Sequence, residues 1–127
     1  METKFWTRLD ELIKTCKIVI DRPKGTAHPL YPDLIFPLDY GYLEGTTAID
    51  GSGIDVWLGT AGHNRLTAIG CTVDTHKKDA EIKLIINCTD EEIGIIDRCQ
   101  NGQVMSAIIV KREVPDYHPL EYDPSTR

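Results

Sequence analysis

Apolar residues recur at helical spacing near the start of the chain. Phe5, Trp6, Leu9, Leu12, Ile13 and Cys16 share one face, with Lys4, Arg8, Asp10, Glu11 and Lys14 mostly opposite. The spacing predicts an amphipathic helix over residues 3–16. The period then changes: Ile18, Val19 and Ile20, closed by Asp21 and Arg22, predict a strand over 17–22. Pro23, Pro29, Pro32 and Pro37 follow, each removing a backbone donor and discouraging helix, so this stretch reads as a surface loop, where binding groups usually sit. β-branched, partly alternating runs over 54–60, 66–72 and 81–87 predict three further strands, with Gly62-His63-Asn64 as the turn between the first two. Thr89 before Asp90, Glu91 and Glu92 marks a second helix: a hydroxyl cap, then acids facing the positive end of the dipole. Asn101-Gly102 is its stop signal, and a last strand runs over 104–111. The tail from Glu113, with Pro115, Pro119 and Pro124, is expected to be loosely ordered.

Five or six short strands with one helix in front and one behind define a mostly β (α+β) chain. Because regular helices do not separate the strands, a small barrel is expected rather than a doubly wound sheet. A length of 127 residues supports a single domain, 1–127. Fourteen Lys+Arg against twenty Asp+Glu give a net charge of −6, the wrong sign for a nucleic-acid partner. A phosphate substrate stays open, since a bound cation inverts the local field. No apolar run is long enough to span a membrane, and residues 1–6 lack the apolar core of a signal peptide, so a cytoplasmic location is expected. Cys16, Cys71, Cys88 and Cys99 read as small buried hydrophobes; a zinc site from Cys71, His76, Cys88 and Cys99 matches no usual ligand spacing.

The stretch that carries chemistry is Pro37-Leu38-Asp39-Tyr40-Gly41-Tyr42 followed by Asp50-Gly51-Ser52-Gly53-Ile54-Asp55. Two carboxylates stand five residues apart across a glycine-rich turn. Hard divalent cations want such oxygens on a tight backbone, and phosphoryl chemistry wants such cations. The bland alternative is an Asp-Gly turn in which the aspartate caps itself.

The same stretch resembles the signature of the soluble family I inorganic pyrophosphatases, in which P-x-x-Y-G-Y/F leads into D-G-D-x-x-D. The resemblance covers roughly residues 18–86. It implies a small five-stranded OB-like barrel, here with two flanking helices, and Mg²⁺-dependent hydrolysis of inorganic pyrophosphate, with Mn²⁺ as the other metal to consider. By that resemblance Asp50 and Asp55 are metal ligands, and Ser52 stands where the family has its middle aspartate. Glu81-Ile82-Lys83 is similar to the family's D-x-K, which makes Glu81 a ligand and Lys83 a phosphate contact; either Asp74 or Asp79 supplies the remaining ligand. Residues i and i+2 of a strand share a face, so Glu81 and Lys83 can meet the same site. Asp21-Arg22-Pro23-Lys24-Gly25-Thr26 resembles E-x-P-K-G-S/T. The family's next element, K-x-E, is absent, and His28 aligns with a phosphate-holding arginine. Arg22, Lys24 and His28 are therefore the expected substrate contacts, together with Lys83 and Tyr40. Tyr40 matches the tyrosine beside the nucleophile, which leaves Asp55, Tyr40 and Lys83 as the catalytic set.

Each of these has a structural alternative. The segment Thr75–Asp79 reads equally as a solvated hairpin tip, His28 as a surface histidine, and Tyr42, Phe36 and Trp57 as packing. Ser52 and the missing K-x-E favour a second function: a degenerate module of the same fold that binds phosphate, nucleotide or metal without turnover. Either function leaves a homo-oligomer open.

Overall fold

A computed structural model describes residues 4–48 and 50–113. Helix α1 (Phe5–Thr15) leads into strand β1 (Ile18–Arg22); after the proline loop come β2 (Asp39–Leu43), β3 (Ile54–Leu58), β4 (Leu66–Asp74) and β5 (Asp79–Ile86). Helix α2 (Asp90–Cys99) and strand β6 (Met105–Lys111) complete the described chain. The expected tail beyond Glu113 lies outside the described residues.

The six strands form one sheet in the order β1-β2-β3-β5-β4-β6. Neighbours pair antiparallel except β3 and β5, which run parallel with Val56 opposite Leu84. The sequence pattern allowed five or six strands, and the resemblance implied a five-stranded barrel. The structure has six, and its end strands β1 and β6 do not pair among the described residues. The strand without a sequence signal is β2, whose Asp39-Tyr40-Gly41-Tyr42 follows directly on the proline loop. Helix α1 bridges the open ends instead. It runs into β1, and its Asp10 accepts two bonds, 3.0 and 2.8 Å, from the Arg112 guanidinium just past β6.

Side-chain alternation sends β5 into two cores. Leu84 and Ile86 join Leu43, Val56, Leu66 and Ile69, against which Trp6, Leu9, Leu12 and Ile13 of α1 pack. Ile85 points the other way, to Phe36, Leu38, Trp57, Ala68, and Ile93 and Ile96 of α2. The last three residues of the strand, Leu84-Ile85-Ile86, are buried on both faces and accordingly all apolar. The start of α2 is fixed by a reciprocal cap: Glu92 N–H donates to Thr89 Oγ1 at 3.1 Å, and Thr89 N–H donates to Glu92 Oε1 at 2.9 Å. The same carboxylate accepts the Thr60 amide at 3.1 Å and the Thr60 hydroxyl at 2.9 Å, tying α2 to the end of β3. No helix among the described residues is long and apolar enough to cross a membrane.

Candidate functional site

Tyr40 on β2 stands directly opposite Trp57 on β3, and Asp55 lies two residues before Trp57 on the same face. Glu81 and Lys83 share a face of β5 with Ile85. All four polar groups therefore emerge on the side of the sheet that α2 covers, beyond the helix end. They meet at one nitrogen. Lys83 Nζ donates to Tyr40 Oη at 2.7 Å, to Asp55 Oδ2 at 2.8 Å and to Glu81 Oε2 at 3.5 Å. The Lys83 side chain is only 8% exposed. Its cross-strand partner is Gly70, so no side chain competes for that space. Buried Gln100 lies against Gly70 and accepts the Trp57 indole N–H at 3.0 Å.

The electrostatics follow from burial. Loss of water disfavours the Lys83 charge, but Tyr40 and Asp55 outweigh it and hold the ammonium above its ordinary pKa. Burial likewise raises the Tyr40 phenol, with Lys83 opposing and Asp55 adding, so both keep their protons at neutral pH. Glu81 is raised chiefly by burial; Lys83 opposes, and the negative charges of Asp55, Asp79 and Asp50 add to the rise. Two carboxylates, Asp55 and Glu81, thus contact one ammonium.

An aromatic row leads outward from this centre. Tyr40 packs edge-on to Trp57 with ring centroids 4.6 Å apart and stacks on Phe36 at 5.2 Å; Phe36 stacks in turn on His28 at 6.0 Å. His28 Nδ1 accepts the amides of Leu30 and Tyr31, at 3.0 and 3.3 Å. Its pKa is lowered first by burial and then by the charges of Arg22 and Lys77. Arg22 lies opposite Tyr40 in register, and Lys77 lies in the β4–β5 turn; the charges of both bear on the His28 ring. Lys24 has an exposed side chain, and its amide donates to Asp39 Oδ1 at 2.8 Å.

Of the expected metal ligands, Asp55 and Glu81 converge while Asp50 and Asp74 serve the backbone. Asp50 Oδ1 accepts the Ser52 amide at 2.9 Å, closing its own turn over Gly51, whose φ of +88° suits glycine. Asp74 Oδ1 accepts the amides of His76 and Lys77, both at 2.9 Å, and the first of these effects, the Lys77 bond, lowers its pKa. Asp79 pairs with Asp74 at the base of the hairpin. Among the described residues no three His, Cys, Asp or Glu side chains are placed to hold a metal ion. The donors present do not fit a resident Mg²⁺, because an ammonium already stands where Asp55 and Glu81 meet.

Two residues of the site have no place in the sequence reading. Lys77 was legible only as part of a charged turn, although its bracketing by Asp74 and Asp79 foreshadows a fixed hairpin. Gln100 sits at a helix end and carried no signal. A groove of about 720 Å³ opens on the other face, lined by Leu9, Ile54, Cys71, Ile82, Leu84 and Ile108. It is apolar and reaches the polar centre only at Glu81, so the chemistry lies elsewhere. No family model and no curated protein matches this chain.

Proposed function

We propose that the Lys83 centre binds a small phosphoanhydride, inorganic pyrophosphate being the simplest, and hydrolyses it to two phosphates. The observation that supports this is the meeting of Tyr40, Asp55, Glu81 and Lys83 from three strands within hydrogen-bonding reach of one nitrogen. Mg²⁺ is commonly held by one or two carboxylates together with substrate phosphates. Asp55 and Glu81 are the carboxylates that would face a magnesium ion carried in as part of the diphosphate substrate. Arg22, Lys24 and Lys77 supply positive charge, and the neutral His28 ring a donor, for phosphate oxygens. On this proposal the open sheet is a relative of the family I barrel, with α1 standing where strands would close it.

A second function is favoured by a specific contact. Ser52 gives its amide to Asp50 at 2.9 Å and offers no third carboxylate, as expected of a module that binds without turnover. Phosphate release from pyrophosphate, measured with Mg²⁺ and then Mn²⁺ for wild type and Asp55→Asn, separates the two. Metal-dependent release that Asp55→Asn abolishes, with an unchanged urea midpoint, is expected of the enzyme. Calorimetric binding of pyrophosphate without release would replace the hydrolase by the module.

A further inference from the structure

The proline loop is built as a hairpin beside the site. Gly25 N–H donates to the Phe36 carbonyl at 2.8 Å, Phe36 N–H to the Thr26 carbonyl at 2.9 Å and His28 N–H to the Leu34 carbonyl at 2.9 Å, with Ala27 opposite Ile35. Buried Phe36 anchors one arm in the core. The tip is fixed as well. His28 Nδ1 accepts the amides of Leu30 and Tyr31, and the Tyr31 carbonyl accepts the Leu34 N–H at 2.9 Å. This bonding presents one ring. Tyr31 stays 47% exposed, its centroid 5.0 Å from that of His28 at an interplanar angle of 40°. With Nδ1 occupied as an acceptor, the neutral imidazole carries its proton on Nε2, a single donor near the open ring.

Bare pyrophosphate gains nothing from such a ring, because its surface is all oxygen and charge. A ligand that gains from both Tyr31 and the cations Arg22, Lys24 and Lys77 must join a flat apolar plane to a polyanion. Nucleotides do so. Every base has a π-face that stacks on an aromatic side chain, and phosphate oxygens take guanidinium and ammonium donors. Lys24 stands on the same arm of the hairpin as His28, and Arg22 closes the strand that leads into it. We propose that the phosphoanhydride taken by this site is a nucleoside 5′-diphosphate, its base stacked on Tyr31 beside His28 and its phosphates facing Arg22, Lys24 and Lys77. This rests on the proposed function, in which those three cations hold phosphate, and it narrows the substrate class. Tyr31 is then the residue that separates a nucleotide from a plain diphosphate.

The test is calorimetry on the full chain, in one Mg²⁺ buffer, with ADP and with methyl diphosphate, which carries the same ester diphosphate without a base. Wild type should hold ADP at least about tenfold more tightly than methyl diphosphate. Tyr31→Ala should erase that difference by weakening ADP alone, and Tyr31→Phe should keep it. A merely structural role for Tyr31 would weaken both ligands alike, and that outcome overturns the proposal. Equal affinity of wild type for the two ligands, or binding of neither, overturns it too, and this comparison stands even if Tyr31→Ala fails to fold. Phosphate release from pyrophosphate is followed in parallel. Release without a preference for ADP removes the base seat and spares the hydrolase, whereas a preference for ADP without release keeps the seat and removes pyrophosphate as substrate.

Discussion

Asp55 Oδ2 and Lys83 Nζ meet at 2.8 Å across the parallel β3–β5 pair, 28 positions apart in the chain. Tyr40, a further strand away, reaches the same nitrogen from 43 positions off. Such contacts exist only when three strands are in register, so the centre reports on the whole sheet rather than on one loop. A slip of one residue in β5 would turn Glu81 and Lys83 to the opposite face and replace them with Ile82 and Leu84.

Glu92 links this sheet to α2 and sets one acid-sensitive point. Burial pushes its pKa up, but the bonds from the amides of Thr89 and Thr60 and from the Thr60 hydroxyl outweigh it, and the net shift is downward. A carboxylate lowered in the fold contributes stability that is full above the unfolded value, about 4.3, and is lost as pH falls through the folded value. Glu92→Gln is expected to cost about 1–2 kcal/mol at pH 7. It should also flatten the loss of stability below about pH 5. Urea unfolding of both proteins between pH 3 and pH 7, ranges chosen on the order of the carboxylate pKa, checks it. Asp74, lowered by its turn amides, keeps a remaining slope in the same window. An unchanged slope in Glu92→Gln would show that the cap is not what titrates.

Gly41, the glycine of Tyr40-Gly41-Tyr42, is there for space. A Cβ at this position would collide with the Val19 carbonyl of β1, beside the register shift between Ile20 and Arg22. Gly41→Ala must push β1 away from β2 and is expected to cost about 3 kcal/mol or more. Gly102→Ala meets nothing within 4 Å and serves as the control, with an effect within about 0.5 kcal/mol. Thermal unfolding of the two variants should separate them clearly; equal midpoints would mean that β1 yields without cost.

His28 should read the charge on the site rim. Burial lowers its pKa, followed by Arg22 and Lys77, so the fold prefers the neutral ring. Its share of stability is complete above the unfolded value of about 6.5 and declines as pH falls below it, because the unfolded chain takes the proton first. Lys77→Ala is expected to move the His28 titration upward in NMR. No movement would remove Lys77 from the rim, and with it one of the proposed phosphate contacts.

Much of this architecture was legible in the chain. The apolar stripe of α1, the Thr89–Glu92 cap of α2 and five of the strands follow from period and punctuation. Strand β2 escaped because its signal is local and weak: Pro37 precedes it, Gly41 interrupts its alternation, and only pairing with β1 and β3 makes it a strand. The parallel β3–β5 contact has no signature in spacing, and barrel closure could not be judged without it. At the site, the i, i+2 rule placed Glu81 with Lys83. Which carboxylates were free was another matter. Asp50 and Asp74 are consumed by amides two and three residues onward, the ordinary behaviour of aspartate in turns.

Strand β5 lies between β3 and β4, although it follows both in the chain. During synthesis, then, β3 emerges with its far edge bare and must wait until the ribosome has delivered the hairpin that fills it. Any fragment ending before residue 79 presents that edge to solvent and to other copies, a recognised route to aggregation. The ammonium and its acids thus come together late in the life of the nascent polypeptide, and a truncated product should be insoluble rather than partly active.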